Sequence, residues 1–230
     1  MDESRALVDA VRSRLAAEGD ARKAPEMQRY MKSELPFRGV ASPERKALAK
    51  ELFAAHPLPS AAALRTAALT LWREAEYREE RYLAIDLTGH RAWQTPALLP
   101  LYEEMIVTGA WWDYVDEIAN RRVGPLLREF TAELTPVMYA WARDEDLWKR
   151  RTSIICQLSF KEATDTALLT AAIEANTGDR DFFIRKGIGW ALREYAKTDP
   201  AWVRDLVARH GDRMSGLSRR EALKHLGGSA

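Results

Sequence analysis

Residues 181–197, DFFIRKGIGWALREYAK, decide the fold class because their apolar side chains recur at helical spacing. A buried stripe of this kind is typical of an amphipathic helix. Similar spacing runs through nearly the whole chain, and alternating strand-like runs are absent from it. The sequence therefore predicts an all-α protein. On a helical wheel, one face of this segment carries Ile184, Ile188, Ala191, Leu192 and Tyr195.

Helix starts are marked where a capping residue precedes a proline at the first helical position, as in Ser42-Pro43, Thr95-Pro96, Thr135-Pro136 and Asp199-Pro200. Ser218 and Glu221 have the spacing of a capping box. With the apolar spacing, these signals predict a helix in each of the following ranges. The ranges are 3–18, 24–34, 43–55, 60–74, 76–88, 96–108, 111–121, 124–131, 136–143, 146–159, 164–176, 181–196, 200–210 and 218–226.

Paired helices joined by short polar turns favour an α-solenoid of HEAT-like or armadillo-like repeats. The sequence has no clean internal repeat, so an irregular all-α globule is an equally good interpretation of the pattern. No linker or low-complexity segment divides the chain. Residues 1–230 are therefore predicted to form one domain.

Composition excludes several classes of protein. The hydrophobic share of 47% and charged share of 30% are ordinary for a soluble globular protein. No apolar run is long enough for a membrane span, and the N-terminus lacks the features of a signal peptide. A single cysteine, Cys156, excludes an internal disulfide and a cysteine-based zinc site, and the histidines show no metal-ligand spacing. A cytoplasmic protein is expected. The net charge of +1 gives no hint of a polyanion, so nucleic-acid binding would require a local basic face.

Such a face is present on segment 181–197. Opposite its apolar stripe, Trp190 falls among Lys186, Arg193 and Lys197, with Phe183 on the same side. Cations can neutralise phosphates, and an aromatic ring can pack on a sugar or base. The alternative is that the tryptophan packs against a neighbouring helix while the cations are simply solvated, and the pattern alone slightly favours this.

Arg151 falls in the middle of the apolar side of LWKRRTSIICQLSFK, residues 147–161. A guanidinium in this position must be paired or must reach an anion at the edge of the core. From the pattern alone, a buried salt bridge to an acid on an adjacent helix is the better interpretation.

Residues 109–122, GAWWDYVDEIANRR, place two tryptophans side by side. Neighbours on a helix diverge by about 100°, so both cannot point into one core. Trp112 and Asp116, four residues apart on the flank, could face the same cleft. The alternative is an acidic first helical turn that complements the helix dipole. The predicted core stripe is Trp111, Val115, Ile118 and Ala119.

Several of these segments occur together, in the same order, in a known family. They are YMKSELPFRGVASPERK at 30–46, WWDYVD, RRTSIICQLSFK, FFIRKGIGWALREYAK followed by DP, and LSRREALKHL. From about residue 22 to about residue 226, the chain resembles the AlkD-type DNA alkylation repair glycosylases.

The resemblance implies a right-handed α-solenoid of HEAT-like repeats whose concave, basic face holds duplex DNA. It implies hydrolysis of the N-glycosidic bond of cationic N3- or N7-alkylated purines. The bulk of the adduct, whether a small methyl or a larger group, is left open. Ser159 stands where some relatives have lysine, which puts one DNA contact in doubt. The implied catalytic residues are Trp112, Trp190 and Asp116, and the implied or predicted DNA contacts are Arg151, Tyr30, Lys186, Arg193 and Lys197.

The resemblance also implies that the damaged base stays stacked. A cationic base leaves as a neutral molecule, so no general acid is required, and no catalytic lysine for lyase chemistry is indicated. We expect no metal and no organic cofactor. The expected partner is double-stranded DNA containing alkylated purines, and the expected protein is a monomer at the nucleoid, away from membranes. The alternative function is a non-catalytic HEAT-repeat scaffold that binds DNA or protein.

Overall fold

A computed structural model describes residues 2–226, and every regular element within that range is helical. The prediction of an all-α protein is confirmed. No helix in that range is both long and apolar enough to cross a membrane. The α-helices are α1 (Glu3–Ala17), α2 (Ala24–Met31), α3 (Ser42–Ala55), α4 (Ala61–Arg73), α5 (Arg78–Leu87), α6 (Leu99–Gly109), α7 (Trp112–Ile118), α8 (Gly124–Glu129), α9 (Thr131–Trp141), α10 (Leu147–Ile155), α11 (Thr166–Asn176), α12 (Phe182–Tyr195), α13 (Pro200–His210) and α14 (Gly216–Ala222).

Some of the helix starts predicted from prolines are correct and others are not. Asp199 caps α13 as predicted, because its carboxylate accepts the backbone N–H of Trp202 at 2.9 Å. Thr95-Pro96 instead begins a 3₁₀ turn, and α6 starts three residues later. Thr135-Pro136 lies inside α9, which begins at Thr131. That predicted start is wrong because a single proline removes only one helical hydrogen bond, a loss that tertiary packing can offset.

The capping box predicted at Ser218 and Glu221 is also wrong. Helix α14 begins two residues before Ser218, and Ser215 is its N-cap, accepting the N–H of Ser218 at 3.0 Å. Glu221 is therefore released from a capping role. Its carboxylate contacts cations of another helix instead.

The backbone divides into two compact units, one that ends at Gln94 and one that begins at Thr95. The first unit contains α1 to α5. Buried Glu79 organises one of its loops by accepting the backbone N–H groups of Arg38, Gly39 and Val40. The apolar core of this unit includes Leu7, Val11, Leu64, Leu71, Trp72 and Leu83. The single-domain organisation and the solenoid of repeats stay predictions.

The second unit contains α6 to α14 and is built around α10 and α12. Helix α12 packs against α10, α13 and α14. A π-helical turn, Ala119–Val123, continues α7 into α8. The unit has its own apolar core, which includes Ile154, Ile155, Ile173, Ile184, Ile188, Leu192, Val203 and Leu206.

Candidate functional site

A cleft of about 370 Å³ opens on the second unit, where side chains from α7, α10, α12 and α14 meet. Five residues predicted from the sequence as catalytic or DNA-binding line it together. The lining consists of Trp112, Arg151, Phe182, Phe183, Lys186, Trp190, Arg193, Glu221 and Lys224.

Helix α12 supplies most of the residues that line the cleft. One of its faces is packed in the core, and the other faces the cleft. Asp181 starts the helix by accepting the N–H groups of Phe183 and Ile184. The predicted apolar face is buried in the core, except that Tyr195 is only partly buried. Trp190 lines the cleft on the opposite face, as the wheel predicts, and it also packs against the core, so both interpretations of this tryptophan hold in part.

Arg151 and Asp116 form a two-pronged ion pair behind the cleft. Nε of Arg151 donates to one carboxylate oxygen at 2.7 Å, and Nη2 donates to the other at 2.8 Å. Nη1 donates to the backbone carbonyl of Phe183. The two side chains are only 5% and 15% exposed, so the buried salt bridge considered for Arg151 is present. The guanidinium nevertheless lines the cleft, and its contact with a DNA phosphate stays a prediction.

Two opposing effects act on the carboxyl group of Asp116. Burial raises its pKa, because the ionised form loses hydration, while the hydrogen bonds and charge of Arg151 act to lower it. The net direction is upward. An ionised carboxylate has about four acceptor positions, of which the arginine uses two. Asp116 can therefore still accept a hydrogen bond from a water molecule.

Two glycines in α12 make room for these groups. A Cβ atom on Gly187 would lie 3.1 Å from Nη1 of Arg151. A Cβ atom on Gly189 would lie 2.5 Å from the Cβ of Glu221 on α14. The space at Gly187 therefore accommodates the arginine, and the space at Gly189 allows the close approach of α14.

The two adjacent tryptophans do not both lie on a helix, as the helical wheel assumed. Helix α7 begins at Trp112, and Trp111 is its N-cap in extended conformation rather than a member of a helical stripe. Trp111 is half-buried, and its ring meets Phe183 edge-on with centroids 5.5 Å apart. Tyr114, which was not predicted, is fully buried in its place, alongside Val115. The first tryptophan thus supports the aromatic wall of the cleft.

Comparison with known proteins identifies the family of the chain. Residues 11–226 match the family described as DNA alkylation repair enzyme. The chain belongs to that family. It is also similar to the solved structure of a predicted DNA alkylation repair enzyme from Enterococcus faecalis, with 31% identity and a TM-score of 0.81 over 92% of this chain and 98% of that one. None of the curated proteins matches. Family membership supports an enzyme that acts in DNA repair.

The predicted DNA-binding cations of this repair enzyme are paired with acids. Lys186 and Arg193 both contact Glu221, the lysine at 3.1 Å. Lys197 is 62% exposed and pairs with Glu194 at 2.7 Å. Lys197 does not line the cleft.

Two further predicted positions, Tyr30 and Ser159, are not among the residues that line the cleft. Tyr30 is on α2 of the first unit and is 72% exposed. Ser159, at the position where some relatives have lysine, donates its hydroxyl to the side-chain oxygen of Asn120 at 2.7 Å. It therefore contributes a neutral contact instead of a cation.

Sequence reasoning missed three residues that line the cleft. Phe182 is half-exposed at its rim, and it follows the same rule as the tryptophan pair, since adjacent aromatics on a helix point in different directions. Lys224 lies in the segment LSRREALKHL, but the sequence did not single it out as a site residue. Glu221 had no usable signal, because its place depends on how α14 packs against α12.

Proposed function

We propose that the protein is a monofunctional DNA glycosylase for cationic alkylpurines. It would hydrolyse the N-glycosidic bond of N3- or N7-alkylated purines, such as 3-methyladenine and 7-methylguanine, in duplex DNA and leave an abasic site. One observation carries the proposal. In a chain of this family, Trp112 and Trp190 line a single cleft, and Asp116 is fixed directly behind it by Arg151.

The chemistry of the lesion explains why so few groups suffice. Alkylation at N3 or N7 places a positive charge on the purine, so the base departs neutral and requires no proton. The difficult part is the sugar, which gains oxocarbenium character as the bond breaks. Asp116 stabilises that charge and orients or deprotonates the attacking water. The same combination of a carboxylate and a water operates in inverting glycoside hydrolysis.

The two tryptophans act on the same developing charge. Their electron-rich faces attract a cation, and a desolvated cation–π contact is worth about 2 kcal/mol. Since positive charge grows on the sugar as the bond breaks, this attraction is greater in the transition state than in the ground state. Only such a difference accelerates the reaction.

The lining of the cleft supports an enzyme that approaches the sugar and phosphate and leaves the base in the stack. Among the described residues, the lining consists of aromatic rings, cations and one carboxylate. We further propose a monomer that acts on DNA at the nucleoid in the cytoplasm.

Release of the base tests the proposed activity. Duplex DNA containing 7-methylguanine is incubated with the protein, and free base is quantified against the spontaneous rate. We expect release above that rate, with abasic sites in equal amount and no strand cleavage. If neither methylated nor bulkier N7 adducts are released faster than they depurinate alone, the glycosylase is rejected. A non-catalytic scaffold then becomes the better assignment.

A further inference from the structure

Glu221 is an acid in the middle of the cations of the cleft. Helix α14 carries it, and the close approach of α14 to α12 is possible because position 189 has no side chain. One carboxylate oxygen contacts Nζ of Lys186 at 3.1 Å, and the other contacts Nη1 of Arg193. Lys224, which lies in the turn that follows α14, lines the same cleft.

The two cations converge because they share a face of α12. Seven residues separate Lys186 and Arg193, which is close to two helical turns, or about 10 Å along the axis. Both side chains are long enough to bend toward a point between them. At that point a small anion with two oxygens completes the arrangement. The carboxylate of Glu221 is such an anion, and a DNA phosphate presents two oxygens to the same kinds of donor.

We propose that Lys186 and Arg193 form a binding site for a DNA phosphate, and that the carboxylate of Glu221 occupies this site in the free protein. DNA must then displace Glu221 in order to bind there. The inference rests on the proposed function to the extent that the ligand is DNA, but it does not depend on base release.

The exposure and charge of Lys186, Arg193 and Glu221 are consistent with a carboxylate that DNA can displace. The side chains of Lys186 and Arg193 are 40% and 25% exposed, so a ligand from solvent can reach them. The side chain of Glu221 is 18% exposed, so the pairs are partly in water, and a phosphate that accepts from the same two donors replaces the contacts that the carboxylate loses. The hydrogen bond from Lys186 and the charges of both partners lower the pKa of Glu221. The carboxylate is thus charged at neutral pH and repels an approaching phosphate.

Substitution Glu221→Gln tests the proposal because glutamine keeps the shape of the side chain and removes its charge. The matched control is Glu129→Gln, which makes the same change at an exposed position of α8 outside the cleft. Binding of a fluorescein-labelled undamaged duplex is measured by anisotropy from 50 to 300 mM KCl. Thermal unfolding followed by circular dichroism shows that each variant is folded.

We expect Glu221→Gln to bind DNA about threefold to tenfold more tightly at low salt, with a plot of log Kd against log salt that is steeper by about 0.9, the value for one further neutralised phosphate. Glu129→Gln should match the wild type. Unchanged or weaker binding by Glu221→Gln overturns the proposal. Weaker binding would mean that Glu221 holds the cations in place for DNA.

A double-mutant cycle adds a test that does not depend on the absolute affinity. Arg193→Gln should weaken DNA binding more in the Glu221→Gln background than in the wild type, because the arginine is then fully available to phosphate. Equal effects in the two backgrounds would contradict the proposal. Base release is measured separately, so a protein that binds as expected but releases no base refutes the glycosylase and leaves the phosphate site intact.

Discussion

At the scale of single residues, the ion pair between Asp116 and Arg151 has two consequences that can be separated. It fixes the orientation of the carboxylate, since both oxygens are bonded to one planar guanidinium. It also compensates a charge that burial disfavours. A variant that keeps the shape of Asp116 but loses its charge should therefore affect catalysis and stability by different routes.

We expect Asp116→Asn to lower the rate of base release by about 10² to 10³, the usual loss when one electrostatic group is removed from a transition state. Leaving Arg151 buried without its partner should also lower the free energy of unfolding by about 3 kcal/mol. Single-turnover rates are measured below the unfolding transition, and DNA affinity is measured in parallel. If affinity falls as much as the rate, the role of Asp116 is structural.

The pH dependence of base release should report on Asp116. Its carboxyl group must be ionised to act, so activity is lost as pH falls through its pKa. In Arg151→Gln the effect of burial is no longer opposed, so the pKa rises further and activity is lost at a higher pH than in the wild type. Arg151→Lys retains the charge and should shift the profile less. A profile that stays in place in Arg151→Gln would show that another group titrates.

Cys156 offers a measure of folding that is independent of the cleft. It is fully buried at the end of α10, and burial raises the pKa of its thiol to about 12. The reactive thiolate is therefore scarce in the native protein. We expect almost no reaction with 5,5′-dithiobis(2-nitrobenzoic acid) at pH 8 and full reaction after unfolding in guanidinium chloride. Rapid labelling of the native protein would contradict the packing around α10.

At the scale of the helices, the contact between α12 and α14 depends on Gly189. A methyl group there would overlap Cβ of Glu221, and Ser218 of α14 leaves no room to retreat. We expect Gly189→Ala to lower the free energy of unfolding by about 1–3 kcal/mol, as overpacking does. Chemical denaturation measures this loss. Gly178→Ala is the control, because nothing lies within 4 Å of the added atom and its stability should be unchanged or slightly higher. Equal effects of the two substitutions would contradict the close packing of α14.

Helices were predictable to the extent that local chemistry decides them. Apolar spacing located each α-helix to within a few residues at most ends, and Asp199 marked the start of α13 correctly. The largest error was at Pro136, which lies inside α9 although a proline costs a hydrogen bond there and none at the first helical position. The capping box also failed. Glu221 bonds to cations that are distant in sequence, and no local pattern could show this.

The site was predictable where its residues share one helix. Trp112 and Asp116 are four residues apart, so the pattern placed them on one flank of α7. The pairing of Arg151 was anticipated as a buried salt bridge, but its acid could not be identified, since 35 residues separate the two partners. Which acid meets which cation is decided by the packing of α7, α10 and α12, and only the structure gives that.

At the scale of the whole molecule, Tyr30 tests the contribution of the first unit. Its side chain is 72% exposed, so Tyr30→Ala should leave the melting temperature unchanged. If the tyrosine lies near the lesion in the complex, the same variant should lower single-turnover base release by about tenfold, which corresponds to about 1.4 kcal/mol. Tyr30→Phe distinguishes the ring from the hydroxyl. Wild-type rates in both variants would remove Tyr30 from the site.

Helix α12 contributes residues both to the apolar core and to the cleft, and this limits how the protein could acquire a new specificity. Enzymes that carry their sites on surface loops can exchange those loops and keep the scaffold. Here each cleft-facing residue of α12 lies within a turn of a core residue such as Ile188, and an atom added at Gly189 would overlap Glu221. Laboratory evolution that selects for new adducts should therefore concentrate its substitutions at the rim, at Phe182 and Lys224, and leave the centre of the helix untouched.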